Sequence, residues 1–200
     1  MKKKLAGNKK PWIVGSKEQA GHAPAIALIN PKFSHNVGGA LRAASCFGMK
    51  QVWFTGDRVN LENRKRITRE ERMKGFQDVS LIHYDNFFDQ FNNVTPVAIE
   101  LRPGSESLHT FEHPENALYV FGPEDGSIGS NYLRHCHRFV VIPTRHCVNL
   151  SSAVYIILYD RLIKRSSDIV TIDDMLAETR DDFLNHKETH DKTVKDLGLL

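Results

Sequence analysis

Short apolar runs recur along the chain, each closed by a turn signal, and between several of them the apolar positions change to a spacing of three and four. Ala25 to Ile29 ends at Asn30-Pro31, Gln51 to Phe54 at Gly56-Asp57, and Pro96 to Leu101 at Arg102-Pro103-Gly104. Leu81 to Tyr84, Ala117 to Phe121 before Gly122-Pro123, and Phe139 to Ile142 before Pro143 follow the same plan. Runs of this length bounded by Gly and Pro predict buried strands. After the first strand and a loop over KFSH, Asn36 stands where a helix cap belongs. Val37, Ala40, Leu41, Ala44 and Phe47 then share one helical face, and Gly48 is the stop signal. DNFFDQF predicts a short amphipathic helix. Asn149 or Ser151 caps a longer one, whose body from Ala153 to Lys164 is apolar around most of its circumference and is expected to be buried. Alternating strands and helices predict an α/β fold with a mostly parallel sheet flanked by helices. Its domain spans 25–164, after an N-terminal basic arm over 1–24 and before a C-terminal helical extension over 165–200. In that extension, residues 171–187 carry a helical pattern with Ile172, Leu176 and Phe183 as its apolar points.

A chain of 200 residues with 40% hydrophobic content supports one α/β domain with a real core. No apolar run is long enough to span a bilayer, and the first lysines lead into Pro11 and Trp12 rather than into an apolar leader. The expectation is a soluble, cytoplasmic protein with no membrane partner. Cys46, Cys136 and Cys147 are an odd number without framework spacing, which fits a reducing compartment; Cys46 is expected in the core.

The net charge of +3 conceals an asymmetry. Residues 1–74 carry 16 Lys and Arg against 5 acids, residues 75–164 carry 6 against 10, and residues 165–200 carry 5 against 9. Solvated charged faces are ordinary, but a polyanionic partner accounts better for so basic a front. The basic residues are concentrated in the first arm, with Lys2, Lys3, Lys4, Lys9 and Lys10, and in the 58–74 segment, with Arg64, Lys65, Arg66, Arg69 and Arg72. Arg42 shares a helix face with Gly38 and Gly39, where either a phosphodiester backbone or a packed helix can approach closely.

Candidate chemistry centres on GPEDGSIG at 122–129, where a buried strand opens into a shaped loop and presents Glu124 at its carboxyl end. Ligands of open α/β sheets sit at that end. No GxGxxG is present, and the loop lacks the Lys-Ser/Thr of a phosphate-binding loop, so a dinucleotide or ATP site is disfavoured. His135, Cys136, His137, His146 and Cys147 do not have metal-ligand spacing, and no metal is expected. His109 and His113, beside Glu112 and Pro114, are expected at the surface.

Three stretches together resemble the SpoU (TrmH-like) branch of the SPOUT RNA 2′-O-ribose methyltransferases: NVGGALRAASCFGM at 36–49, LYVFGPEDGSIG at 118–129 and IPTRHCVNLSSAV at 142–154. The resemblance implies a parallel sheet with a deep C-terminal trefoil knot, S-adenosyl-L-methionine bound in that knot, and a homodimer whose partner completes the active site. It implies catalytic roles for Asn36, Arg42, Glu124, Asn149 and Ser151, with Arg42 at the ribose hydroxyl and Glu124 orienting it. Ile99, Glu100, Gly122, Ile142 and Leu150 would cradle the cofactor, with Cys147 standing where many members have serine. RNA, not DNA, is the implied partner, since only RNA carries the 2′-hydroxyl, and the implied substrate is tRNA or rRNA. A guanidinium is a poor base, so Arg42 is read first as a positioner of phosphate and hydroxyl. The alternative is a SPOUT-fold RNA-binding protein without catalysis.

Overall fold

The computed structural model describes residues 13–14, 20–59, 61, 78–165, 171 and 175. The chain divides into two compact units, residues 1–165 and 166–200. The second contributes only Thr171 and Met175 to the described residues, so the expected tail helix falls almost wholly outside them.

Every apolar run forms its strand, displaced by no more than two residues: β2 is Ala25–Leu28, β3 Gln51–Phe54, β4 Ser80–His83, β5 Thr95–Ile99, β7 Ala117–Phe121 and β8 Arg138–Val141. Two-residue strands β1 (Ile13–Val14) and β6 (Glu106–Ser107) lie at the edges. The order is β1-β4-β3-β2-β7-β5-β8-β6, and all neighbours run parallel. The stretch 1–24 is therefore not wholly an arm: Ile13 and Val14 pair with Leu81 and Ile82, which occupies the backbone groups of an edge that would otherwise stand open.

The helices of residues 20–165, among the described residues, are α1 (Ser34–Cys46), the four-residue α2 (Ser130–Leu133) and α3 (Leu150–Lys164), with 3₁₀ turns at Phe87–Gln90 and Leu108–Thr110. Side-chain alternation divides the core into two layers. Ile26, Leu28, Val52, Phe54, Tyr119 and Phe121 face the layer containing α1 and α3, which pack on each other. Ala27, Trp53, Leu118 and Val120 face the opposite layer with Phe87, Ile128 and Cys136. In that sheet the buried amide of Gln51 is partnered at both ends: its Oε1 accepts from His22 N and Trp53 Nε1, and its Nε2 donates to Ala20 O.

Helix α1 starts three residues earlier than the sequence suggests. Its N-cap is Phe33, without a side-chain cap bond, so Ser34 and His35 are helical and Asn36 sits inside the first turn, not at the cap. At the other end Gly48 takes φ +73, as expected of a stop. Gly38 and Gly39 are buried in the helix that packs against α3, so helix packing rather than an open phosphodiester track accounts for them. Cys46, expected in the core, is exposed. It lies nine residues beyond Val37, which is roughly two and a half turns and therefore the opposite side of the helix.

His113 is not a surface residue either. It is buried, with Nδ1 2.6 Å from the Tyr119 hydroxyl and Nε2 2.7 Å from Asp160 Oδ2. Arg161 donates to Tyr119 Oη at 3.2 Å and to the carbonyls of Pro114 and Glu115 at 2.6 and 2.8 Å. With Tyr119 Oη accepting from Arg161, its own proton goes to His113 Nδ1, so a neutral ring donating from Nε2 to Asp160 satisfies every group. Burial pushes the His113 pKa down, and although Asp160 opposes it the net shift is downward. A depressed histidine pKa means the unfolded chain takes the proton first. The stability tied to His113 is thus fully present above about pH 6.5 and declines as pH falls below it. His113→Ala is expected to lower stability by about 2–3 kcal/mol at pH 7 and to flatten the dependence between pH 5 and 7, both read from denaturant midpoints. A variant as stable as the parent chain at both pH values would remove this role.

Candidate active site

At the carboxyl end of β7 the chain turns through Gly122-Pro123 and aims Glu124 at the start of α1. Its Oε2 accepts from Lys32 N at 2.7 Å, and its Oε1 accepts from Phe33 N at 3.2 Å and Asn36 Nδ2 at 2.7 Å. A carboxylate from across the sheet thus does at the N-terminus of α1 what a cap does, placing negative charge where the helix dipole favours it. Asn36 is fully buried, and its Oδ1 accepts from Asn149 Nδ2 at 2.9 Å. Asn149 is the N-cap of α3, its Oδ1 accepting from Ser151 N at 2.9 Å, Ser152 N at 3.4 Å and Ser151 Oγ at 2.7 Å. One directed chain of hydrogen bonds therefore runs from Ser151 through Asn149 and Asn36 to Glu124. Burial alone would raise the Glu124 pKa, but the donors from Asn36, Lys32 and Phe33 outweigh it and hold the carboxyl below its ordinary range.

A second carboxylate pins the same loop from outside. Asp125 takes a forked pair of bonds from Arg58 Nη1 and Nη2 at 2.9 and 2.8 Å, and Lys32 Nζ lies 3.1 Å away. The Arg58 fork, then Lys32, bring the Asp125 pKa down to about 2. Sequence reasoning missed Lys32, Arg58 and Asp125. Asp125 adjoins Glu124 in the motif, which is a usable signal, but nothing in the sequence joins it to residue 58.

The residues expected to cradle a cofactor come together because β7, β5 and β8 are neighbours. Their carboxyl ends set Gly122, Ile99 with Glu100, and Ile142 side by side. Ile99, Ile142 and Val148 pack on the core cluster that includes Leu150, the first residue of α3. Glu100 Oε2 accepts from Ile128 N at 3.1 Å, holding the far end of the 122–129 loop. A Cβ at Gly122 would lie 3.3 Å from Ile128 Cγ1 and Ile128 N, so glycine lets the loop fold back closely on itself. Cys147 is exposed in the 142–149 loop, where Thr144 Oγ1 donates to His146 O at 2.7 Å.

Arg42 stands further along α1. It is half-buried on α1, six residues past Asn36, which is roughly 9 Å along the axis and 240° around it. Glu124 is bonded to Lys32, Phe33 and Asn36 rather than to Arg42. The other basic residues expected to meet RNA, namely Lys2, Lys3, Lys4, Lys9, Lys10, Arg64, Lys65, Arg66, Arg69 and Arg72, lie outside the described residues. Among the described residues no helix is long and apolar enough to cross a membrane, and no three His, Cys, Asp or Glu side chains gather as a metal site would require.

Known proteins resemble this chain in sequence and in fold. The tRNA (cytidine-2'-O-)-methyltransferase TrmJ of Methanocaldococcus jannaschii is 25% identical over 157 residues, covering 70% of this chain and 67% of the relative. Among solved structures, the AdoMet-bound rRNA methyltransferase from Sinorhizobium meliloti superposes with a TM-score of 0.63 at 18% identity, over 76% of this chain and 59% of its own. The TrmH/SpoU tRNA modifying enzyme of A. aeolicus gives 0.60 at 19%, over 74% and 78%. The chain thus spans under two thirds of the Sinorhizobium enzyme, and at these identities the superpositions establish a shared fold. The SpoU rRNA Methylase family pattern matches residues 23–159, the whole sheet from β2 to β8 and most of α3, and the chain belongs to that family.

Proposed function

We propose that the chain is an S-adenosyl-L-methionine-dependent methyltransferase acting on a ribose 2′-hydroxyl of tRNA or rRNA, and that it works as a homodimer. The observation that carries this reading is the hydrogen-bonded path from Glu124 through Asn36 to Asn149, which unites three separated motifs at the carboxyl end of the sheet. Its TrmJ relative is a tRNA 2′-O-methyltransferase by name, and the Sinorhizobium relative binds AdoMet.

The residues present suit the cofactor. Ile99, Ile142 and Leu150 offer apolar walls for an adenine, and the ends of three adjacent strands offer backbone groups for its polar edges. S-adenosyl-L-methionine supplies a methyl already activated on a sulfonium, so the protein's task is alignment and removal of one proton. Arg42 holds the ribose and its phosphate in line, and the proton leaves toward the substrate phosphate or solvent. The trefoil knot belongs to the same reading. From β8 the chain must pass back across the ends of β5 and β7 for α3 to reach α1, and the 100–105 and 122–129 loops lie at those ends.

Dimerisation is supported by an apolar stripe along α3, where Tyr155, Tyr159 and Ile163 recur every fourth residue. Tyr159 and Ile163 are 56% and 46% exposed, and Phe47 of α1 meets both tyrosines edge-on. A second copy seated there would bring its own α1, and with it Arg42, toward this cluster.

The test is calorimetric titration of the chain with S-adenosylhomocysteine, followed by methyl transfer to unmodified tRNA and rRNA. Saturable binding and a ribose-bound methyl are expected. No binding to folded dimer, with RNA present or absent, would favour a SPOUT-fold RNA-binding protein without catalysis.

A further inference from the structure

On the face of the sheet opposite α1 and α3 lies a groove of about 720 Å³, within the size range of small-ligand sites. It opens at the carboxyl ends of β2 and β3, extends beyond β4, and is closed on one side by α2 and on another by the 122–129 loop. That loop is shared between two sites. Glu124 reaches toward α1, whereas Pro123 and Gly129 line the groove. The strand order reverses at β2, with β3 on one side and β7 on the other, which makes this corner a switch point of the kind where open α/β sheets bind ligands.

The lining specifies a class of ligand. One wall is aromatic: Phe88 and His135 are stacked at 4.6 Å and 25°, Tyr132 stands beside them, and Phe87 beneath Phe88 supports the stack. Arg134 Nε lies 3.3 Å from His135 Nε2 and braces that ring. The other wall is polar but mainly anionic and amide, with Asp85, Asp89, Asn131 and Asn30, and two carboxylates against the single guanidinium of Arg134 disfavour a phosphate. Asp85 Oδ1 accepts from Gly56 N at 2.8 Å, which fixes the carboxylate and leaves it further lone pairs. Asn30 Oδ1 is buried without a hydrogen-bond partner among the described residues. A flat π-face beside fixed acceptors matches a nucleobase bearing an exocyclic amino group, since carboxylates and amides pair with cytosine and adenine edges.

We propose that this groove receives an unpaired adenine or cytosine of the RNA substrate, stacked against His135 and Phe88 and read at its edge by Asp85 and Asn131. The proposal rests on the RNA reading above and adds a second contact point, separated from the methyl-transfer residues by the thickness of one loop. Extruded bases stacked on aromatic side chains are a general means of reading RNA.

The experiment titrates the full chain, isotopically labelled, with single-stranded pentamers of A, C and U and follows backbone amides by NMR. S-adenosylhomocysteine binding is measured on the same samples. A and C pentamers are expected to shift the amides of Gly56, Asp85 and His135 saturably. His135→Ala should weaken them about tenfold, the scale of one lost base stack, and Asp85→Ala, which removes the acceptor altogether, should bring A, C and U close to parity. The same His135→Ala chain should bind unmodified tRNA or rRNA more weakly. Shifts confined to other surfaces, or pentamer affinities unchanged in both variants, would overturn the proposal. So would a groove that binds pentamers while the His135→Ala chain keeps full affinity for folded RNA. Failure of S-adenosylhomocysteine to bind, with the pentamer results as expected, would instead overturn the methyltransferase reading and leave this one standing.

Discussion

Arg42→Ala is expected to lower methyl transfer by about a thousandfold while leaving unfolding and S-adenosylhomocysteine affinity unchanged, the loss of a group that aligns and stabilises the reacting oxygen. The fold should survive because the half-buried Arg42 lies between Leu41 and Ala43, which hold α1 to the core. The proposed cofactor cradle should survive because its residues lie on β5, β7, β8 and the start of α3, none of which includes Arg42. Arg42→Lys should rescue little, since a point charge does not reproduce the planar fork of the guanidinium. The position of Arg42, roughly 9 Å along α1 from Asn36 and on another side of the helix, adds a sharper expectation. If Arg42 serves the Glu124 cluster of a second copy, two inactive variants should complement each other. In an equal mixture of Arg42→Ala and Asn149→Ala chains, half the dimers are mixed, and each of these carries one site with both defects and one with none. Recovery of about a quarter of parental activity is then expected from random pairing. Unchanged turnover in Arg42→Ala would remove its role, and no recovery on mixing would place the reaction within one chain.

The strands were legible because parallel strands buried on both faces read as continuous apolar runs. Ala117–Phe121 has all five side chains buried, and the Gly122-Pro123 pair marks its end unambiguously. Helix starts were less legible. Asn36 is the cap by local preference, whereas the helix starts at Ser34 with Phe33 as its N-cap, and local preference does not favour that earlier start. Glu124 makes the choice from about ninety positions away by taking the N–H groups of Lys32 and Phe33, which leaves the Asn36 amide free to turn inward. The identities of Asn36, Glu124 and Asn149 could be read from motif order, but not the direction of the hydrogen-bond chain among them. His113 carried no signal at all. It lies in a polar, aperiodic stretch, and only the fold brings Tyr119, Asp160 and Arg161 around it. The Arg58–Asp125 fork joins two exposed loops whose pairing follows from strand order alone.

That distribution has a functional logic. The inner members of the site, the fully buried Asn36 and the half-buried Glu124, are held by three hydrogen bonds to the Glu124 carboxylate and one to the Asn36 carbonyl, which makes that contact rigid. The exposed members, Lys32, Arg58 and Asp125, form ion pairs that solvent and salt weaken. On the proposed function, phosphates of an RNA would compete for the exposed Lys32 and Arg58 before reaching the half-buried Glu124. Substrate would then reorganise the rim without disturbing the proposed cofactor side of the loop.

Asn36→Asp tests the inner path most severely. It replaces a donor 2.7 Å from Glu124 Oε1 with a second carboxylate in a fully buried position. Two carboxylates at that distance cannot both ionise cheaply, so the pair must retain a proton and one pKa rises. The pH dependence should therefore change sign. In the parent chain the Glu124 pKa is held below its ordinary 4.5, so its stabilisation is present above that value and is lost as pH falls through it. In the variant the folded pair binds a proton more tightly than the unfolded chain, so its stability is greatest near pH 4–5 and declines as pH rises toward 7. A loss of about 2–4 kcal/mol at pH 7 is expected, partly recovered at pH 5. Methyl transfer at pH 7 should fall at least about a hundredfold, because Asn149 and Glu124 are no longer held by one amide. Asn36→Ala separates the two effects: it removes the donor without adding charge, so it should be destabilised by about 1–3 kcal/mol without the inverted slope. Denaturant midpoints at pH 5 and pH 7 for the three chains give the answer. Parallel pH profiles would mean that Asn36 and Glu124 do not share a proton-sensitive contact, and the path through which three motifs act as one site would fall with it.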